Sequence, residues 1–185
     1  MLRAYAPLKR LMDVLLSGTA LLALSPVMIC LAAAVKLSSP GPALFRQERM
    51  GRGGRPFTLL KFRSMRVGGS GPAVTTAGDA RITGAGRFLR RYKLDELPQL
   101  LNVLAGDMSI VGPRPEVRKY VEAFPREYAE VLSVRPGLTD HAAIAYRDEE
   151  GVLAAASDPE TAYVREVLPR KIALYREYIR TMSLS

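Results

Sequence analysis

Two adjacent carboxylates, Asp95 and Glu96, open the leucine-rich stretch LDELPQLLNVLAGDMSIVGPRP (Leu94–Pro115). Cations surround them: Arg90, Arg91 and Lys93 precede the pair, and Arg114 follows in a Gly-Pro-Arg-Pro turn. Lys61 and Arg63 lie two residues apart at the end of an apolar run that reads as a strand, where alternation puts both on one face. A carboxylate can attack phosphorus and carry it as an acyl phosphate. A second carboxylate beside it can hold Mg²⁺, a hard cation that takes oxygen ligands and bridges to phosphates. Arginines can grip a diphosphate through paired hydrogen bonds. The stretch therefore contains the parts for phosphoryl transfer. Asp95 is expected at the N-cap of a helix running to Leu104, with Glu96 in the first turn, where free N–H groups and the helix dipole keep acids ionised. The plainer reading makes Asp95 a helix cap and nothing more.

Other chemistries have few residues to work with. The 185-residue chain has one cysteine, Cys30, and one histidine, His141, so it can build no internal disulfide, no zinc motif of Cys and His, and few His-based triads. It carries 27 Lys and Arg against 18 Asp and Glu, a net charge of +9. That excess suits an anionic partner: nucleic acid, an anionic membrane surface or a phosphorylated substrate. Aromatic residues make up only 7% and no reading motif is present, so nucleic acid is not expected.

The elements that must position these residues begin with a membrane segment. Val14–Val35 holds no charged residue over 22 positions, enough to span a bilayer as a straight helix. It is long for a signal-peptide core, and Pro26 interrupts it. Proline removes a helix donor and crowds the preceding turn, so a kink is expected at Ser25-Pro26, with the Ser25 hydroxyl returning a hydrogen bond to the freed backbone. Basic residues flank both ends: Arg3, Lys9 and Arg10 before, Lys36, Arg46 and Arg49 after. Such symmetry suits a re-entrant helix with both ends at anionic lipid, but a kinked spanning helix fits the residues equally. The cluster Ser38–Pro42 ends this element. Ala43–Glu48 and Phe57–Phe62 read as strands joined by the MGRGGR turn, and Arg66–Gly86 as a loop. Helices follow at Arg87–Tyr92, Asp95–Leu104, Glu116–Phe124 and Glu127–Leu132. Another starts at Asp158-Pro159-Glu160, and Pro169 is expected to break or kink it. The end of the chain mixes Ile172, Leu174, Tyr175, Tyr178 and Ile179 with arginines, which suits either a membrane surface or core packing.

Four motifs in order resemble the bacterial sugar transferases, the small monotopic polyprenyl-phosphate phosphoglycosyl transferases. They are the apolar segment centred on Ser25-Pro26, KFRSM (Lys61–Met65), LDELPQLLNVLAGDMSIVGPRP, and RPGLT (Arg135–Thr139), and the resemblance runs from about Lys9 to Tyr146. It implies an α+β, mostly helical fold. Residues 1–40 would form a re-entrant anchor, and residues 41–185 a cytoplasmic catalytic domain with a small β-hairpin and amphipathic interfacial helices. It implies transfer of a phosphosugar from a nucleoside diphosphate sugar, usually UDP-linked, to polyprenyl (undecaprenyl) phosphate, releasing UMP. This would be the first membrane step of exopolysaccharide or lipopolysaccharide synthesis, on the cytoplasmic face of a bacterial inner membrane rich in anionic lipid. Carried over by motif, Asp95 would be the nucleophile and Glu96 the Mg²⁺ ligand. Lys61, Arg90, Arg114 and, more loosely, Arg147 would match basic residues lining the site. Glu160 would stand near a late acidic position. The resemblance lifts the re-entrant reading over the spanning one. It is compatible with a homo-oligomer and leaves the sugar open, because Asp140–Arg147 departs from the usual Ala-Gln-Val-Asn-Gly-Arg pattern. The chain looks like the minimal catalytic form, without the extra membrane helices of larger relatives. The residues also allow Asp95 to act as a general base in a ternary complex. A non-enzymatic membrane-surface module would instead depend on the basic residues alone.

Overall fold

The N-terminal apolar sequence folds as one helix, α1 (Leu2–Ser38), in a computed structural model that describes residues 2–68, 75–76 and 78–182. At 1.5 Å per residue its 37 residues extend over about 55 Å. Helical hydrogen bonding runs through Pro7 and Pro26. Pro26 leaves the carbonyl of Leu22 without its usual N–H donor, and the Ser25 hydroxyl donates to that oxygen at 2.9 Å. The expected hydroxyl repair is thus present, and the helix continues past the proline. Leu22, Ile29 and Leu37 are 80%, 70% and 88% exposed. An apolar surface of this extent needs lipid or another apolar partner, and α1 is long and apolar enough to cross a membrane.

Both ends of α1 are fastened to the rest of the chain. At the N-terminal end, Arg10 donates to the carbonyls of Val103 (2.6 Å) and Leu104 (2.9 Å). Asp13 is buried and accepts from the Ile110 N–H and the Ser109 hydroxyl, both at 3.0 Å, while Lys9 donates to Ser109. Lys9 and Arg10, expected to face lipid headgroups, are therefore committed to protein. At the other end Val35 is fully buried with Phe62 and Leu89. Arg63 is buried and donates to the carbonyls of Val35, Ser39 and Pro40, satisfying acceptors that the end of a helix leaves open.

Two short sheets frame the site. β1 (Leu44–Met50) and β2 (Pro56–Phe62) form an antiparallel hairpin, close to the expected strands. Its turn contains a single 3₁₀ turn, Arg52–Gly54, with Gly53 and Gly54 at positive φ. β3 (Ser109–Val111) and β4 (Gly137–Thr139) pair in parallel, a contact not legible in three-residue strands 28 positions apart. Gly112 and Gly137 let the two backbones meet: a Cβ on Gly137 would collide with the backbone of Gly112. This close approach fixes the start of the Gly-Pro-Arg-Pro turn.

The helices differ from expectation in instructive ways. α2 spans Gly84–Arg91, three residues earlier than expected, because Thr83 caps it and accepts from the Gly86 N–H. Gly86 packs on Ser64 so closely that a Cβ would strike the Ser64 carbonyl. Part of the expected Arg66–Gly86 loop (69–74 and 77) lies outside the described residues. α3 is Gln99–Ala105, ended by Gly106 at φ 97°. α4 (Arg118–Ala123) and α5 (Pro125–Val131) fall within one or two residues of expectation. α6 (His141–Ala145), α7 (Glu149–Ala154) and α8 (Pro159–Ala162) are short, and the last has the expected Asp158 cap. α9 (Leu168–Thr181) follows a wide π-type turn, Tyr163–Val167. Pro169 therefore breaks nothing, since it sits in the first turn of α9, where its missing donor is not needed. Ile172 and Tyr175 are buried with Tyr128, Val131, Tyr163 and Leu168, which makes core packing the role of that face of α9.

Candidate active site

The acidic pair is not at a helix N-cap. α2 ends at Arg91, with Tyr92 as its C-cap, and Lys93 takes a left-handed conformation (φ 56°), the only positive φ of a non-glycine among the described residues. Such a backbone costs about 1–2 kcal/mol for a residue with a Cβ. It turns the chain into a single 3₁₀ turn, Leu94–Glu96, which carries both acids, and α3 begins only after Pro98. The expectation that helix-terminal N–H groups hold Asp95 ionised is overturned: the wrong feature was the helix start, displaced by the left-handed turn.

Asp95 is 5% exposed, and its Oδ1 is buried without a hydrogen-bond partner among the described residues. Burial raises its pKa, which outweighs the attraction of Lys61, Arg90 and Lys93, and the adjacent Glu96 charge pushes the same way. Glu96 has the opposite environment. Lys61 Nζ donates to its Oε1 at 2.9 Å, and Arg114 donates to both oxygens, with Nη1 3.2 Å from Oε2. Burial pushes the Glu96 carboxyl up, but Arg114 and Lys61 together hold it well below the usual carboxylate range. One acid of the pair is thus clamped and ionised, while its neighbour, pushed up by burial, keeps one oxygen without a hydrogen-bond partner among the described residues.

Packing explains why these groups meet. Lys61 shares a strand face with Leu59, which is buried with Val103 of α3 and Met108, so Lys61 points toward the acidic turn. Asn102 on α3 completes the join: its side-chain oxygen accepts from the Leu60 N–H (3.0 Å) and its amide donates to the Thr58 carbonyl (2.8 Å). That positioning residue went unnoticed in the sequence, although a lone amide inside LLNVL was its signal. Arg114 is aimed by the Gly112–Gly137 contact. Arg90, on α2, donates to Ser64 (3.3 Å) and to Glu150 on α7.

Three expected residues stand apart from this cluster. Arg63 does not share its task with Lys61: β2 stops at Phe62, so alternation no longer applies, and the guanidinium turns to the carbonyls at the end of α1. Arg147 is exposed in the turn between α6 and α7. Glu160 pairs with Lys119. Among the described residues no group of three or more His, Cys, Asp or Glu comes together as a metal site. The acidic turn itself offers the carboxylates of Asp95 and Glu96, and Glu150 is paired with Arg90.

A mostly helical α+β domain is thus carried on a long, exposed apolar helix and holds two adjacent carboxylates among cations. The chain belongs to the bacterial sugar transferase family, whose sequence profile matches residues 4–185. It is 45% identical over 181 residues to a UDP-glucose:undecaprenyl-phosphate glucose-1-phosphate transferase of Caulobacter vibrioides, covering 95% of this chain and 64% of that protein. A protein of the same name in Escherichia coli is 44% identical over 183 residues, covering 96% of this chain and 37% of that one. A UDP-N-acetylgalactosamine-undecaprenyl-phosphate N-acetylgalactosaminephosphotransferase of Aeromonas hydrophila is 43% identical over 159 residues (83% and 37%). The chain spans less than two thirds of the length of these three relatives.

Proposed function

We propose that this protein transfers a phosphosugar from a UDP-sugar to undecaprenyl phosphate through a covalent intermediate on Asp95. The observation that carries this reading is the unclaimed buried Oδ1 of Asp95, beside a Glu96 already fixed by Lys61 and Arg114. In the first step the Asp95 oxygen attacks the phosphorus that bears the sugar. The bond from that phosphorus to the bridging oxygen breaks, and the electron pair leaves with UMP. In the second step an oxygen of the lipid phosphate attacks the same phosphorus, and Asp95 leaves as a carboxylate. Burial that raises the basicity of Asp95 also makes it a stronger nucleophile once ionised. Arg90 and Lys93 offset the negative charge brought by the diphosphate.

Glu96 would hold Mg²⁺, which needs only one or two carboxylates when phosphate oxygens and water complete its shell. When bound there, Mg²⁺ supplies neutralisation of the diphosphate charge. Lys61 and Arg114 keep Glu96 ionised for that role. The names of the relatives support a UDP-sugar donor and an undecaprenyl phosphate acceptor.

The reading places the site at the lipid–water boundary, with α1 entering and leaving on the cytoplasmic face of the inner membrane. It is supported by the attachment of one domain to both ends of the apolar stretch, at Asp13 and at Val35. A helix that crossed the bilayer between those residues would put the two attachment points on opposite faces, where a single domain could not pack against both. Holding Asp95 at the boundary keeps the acceptor's tail in lipid, where each exposed CH₂ would otherwise cost about 0.8 kcal/mol.

A basic Asp95 also suits a general base acting in a ternary complex, and one experiment separates the two. Protein is incubated with labelled UDP-glucose or UDP-N-acetylgalactosamine and no acceptor. The covalent route releases UMP and leaves label on the protein, and Asp95→Asn loses both. Turnover that needs both substrates together, with no label on the protein, refutes the covalent route.

A further inference from the structure

Arg90, assigned above to the donor's phosphates, pairs with Glu150, which has no role in that reaction. Arg90 uses its donors unevenly. Nη1 reaches the Ser64 hydroxyl, Nη2 reaches a single oxygen of Glu150, and Nε is buried with no partner among the described residues. Nε and Nη2 lie along one edge of the guanidinium plane, the edge that binds two oxygens of one anion in parallel. Glu150 fills half of that edge. A phosphate would fill all of it.

We infer that Glu150 is a place-holder that sets donor affinity: its carboxylate occupies the position on Arg90 that a donor phosphate oxygen takes, and binding requires its displacement. This inference rests on the proposed function.

The surroundings allow the exchange with little disturbance. The Glu150 side chain is 34% exposed, so it can turn into solvent when released. Its neighbour Glu149 is held independently: Lys171 of α9 donates to it at 2.8 Å, and Lys171 is also 3.4 Å from the Tyr163 hydroxyl. α7 therefore stays attached to the helical core when Glu150 lets go. A rotamer change of one side chain is sufficient, with no backbone motion. Until the donor arrives, Glu150 keeps Arg90 neutralised and aimed beside Asp95. The contact also joins α7, which follows the Asp140–Arg147 stretch, to Arg90.

The test measures UDP binding to the full chain in lipid nanodiscs with Mg²⁺ present, by calorimetry. Glu150→Gln is expected to lower the Kd for UDP by roughly two- to fivefold, the scale of a part-exposed ion pair. Glu150→Asp, which keeps the charge but withdraws the carboxylate by one carbon, shifts Kd in the same direction, so the test does not depend on one variant folding. In an Arg90→Ala background, Glu150→Gln leaves Kd unchanged, whereas a general relief of negative charge would tighten binding there too. Weaker or unchanged UDP binding by the Glu150 variants overturns the place-holder, as does equal tightening without Arg90. A protein that binds no UDP before any substitution refutes the proposed function itself, and the place-holder with it.

Discussion

Replacing Asp95 with Asn should abolish turnover and make the protein more stable. The wild-type carboxylate is 5% exposed, one of its oxygens has no hydrogen-bond partner among the described residues, and burial raises its pKa despite three nearby cations. Leaving a buried acceptor unsatisfied costs about 1–3 kcal/mol. An amide keeps an oxygen in the same place but removes the desolvated charge, so the gain belongs at the low end, about 1 kcal/mol. For a chain of this size, that raises Tm by about 2–4 °C. The pH dependence has a definite sign. A raised folded-state pKa means that the Asp95 carboxyl favours the folded state fully below its unfolded value of about 3.9, and loses that advantage as pH rises through the folded value. The Tm gap between Asp95→Asn and wild type should therefore be small near pH 4 and open toward pH 7.5. Glu96 is present in both proteins, so its own titration largely cancels. The assay is thermal unfolding in one nanodisc preparation, at matched scan rates and at both pH values. A lower Tm for Asp95→Asn at pH 7.5, or a gap of equal size at both pH values, would refute the assignment of Asp95 as a strained buried charge.

Two other perturbations test the frame around it. Glu96→Gln leaves Lys61 and Arg114 facing each other without their anion; breaking a buried pair costs about 3–5 kcal/mol, so Tm should fall by at least about 6 °C, and a fall under about 2 °C would count against the clamp. Glu96's depressed pKa adds stability above about pH 4.3, lost as pH falls through the folded value. For topology, single cysteines introduced as Tyr5→Cys or Phe45→Cys in a Cys30→Ser background should label equally from one side of sealed vesicles, and labelling from opposite sides would rule out the re-entrant anchor.

The linear chain determined the inventory of parts. One cysteine and one histidine leave carboxylates, cations and hydroxyls as the abundant reactive groups, and the Asp95-Glu96 pair amid arginines singles out where carboxylates and cations cluster. The uncharged run from Val14 to Val35 is long and apolar enough to cross a bilayer, so its helix was legible. The hairpin was legible because alternation and a glycine turn are local signals, as was the Asp158 cap. Tertiary structure decided which charge serves which partner. Alternation placed Lys61 and Arg63 together, but the strand ends between them, so Lys61 meets Glu96 while Arg63 closes the end of α1. Lys9 and Arg10 look like lipid-facing cations in sequence, yet hold Ser109 and the end of α3. The two acids look equivalent side by side, and only packing separates them. Arg114 reaches Glu96 because Gly112 meets Gly137 across a parallel pairing that no short-range pattern announces. Ionisation depends on distance and burial through space, so neighbours in the chain can acquire opposite properties, and residues 60 positions apart, like Arg90 and Glu150, can form an ion pair.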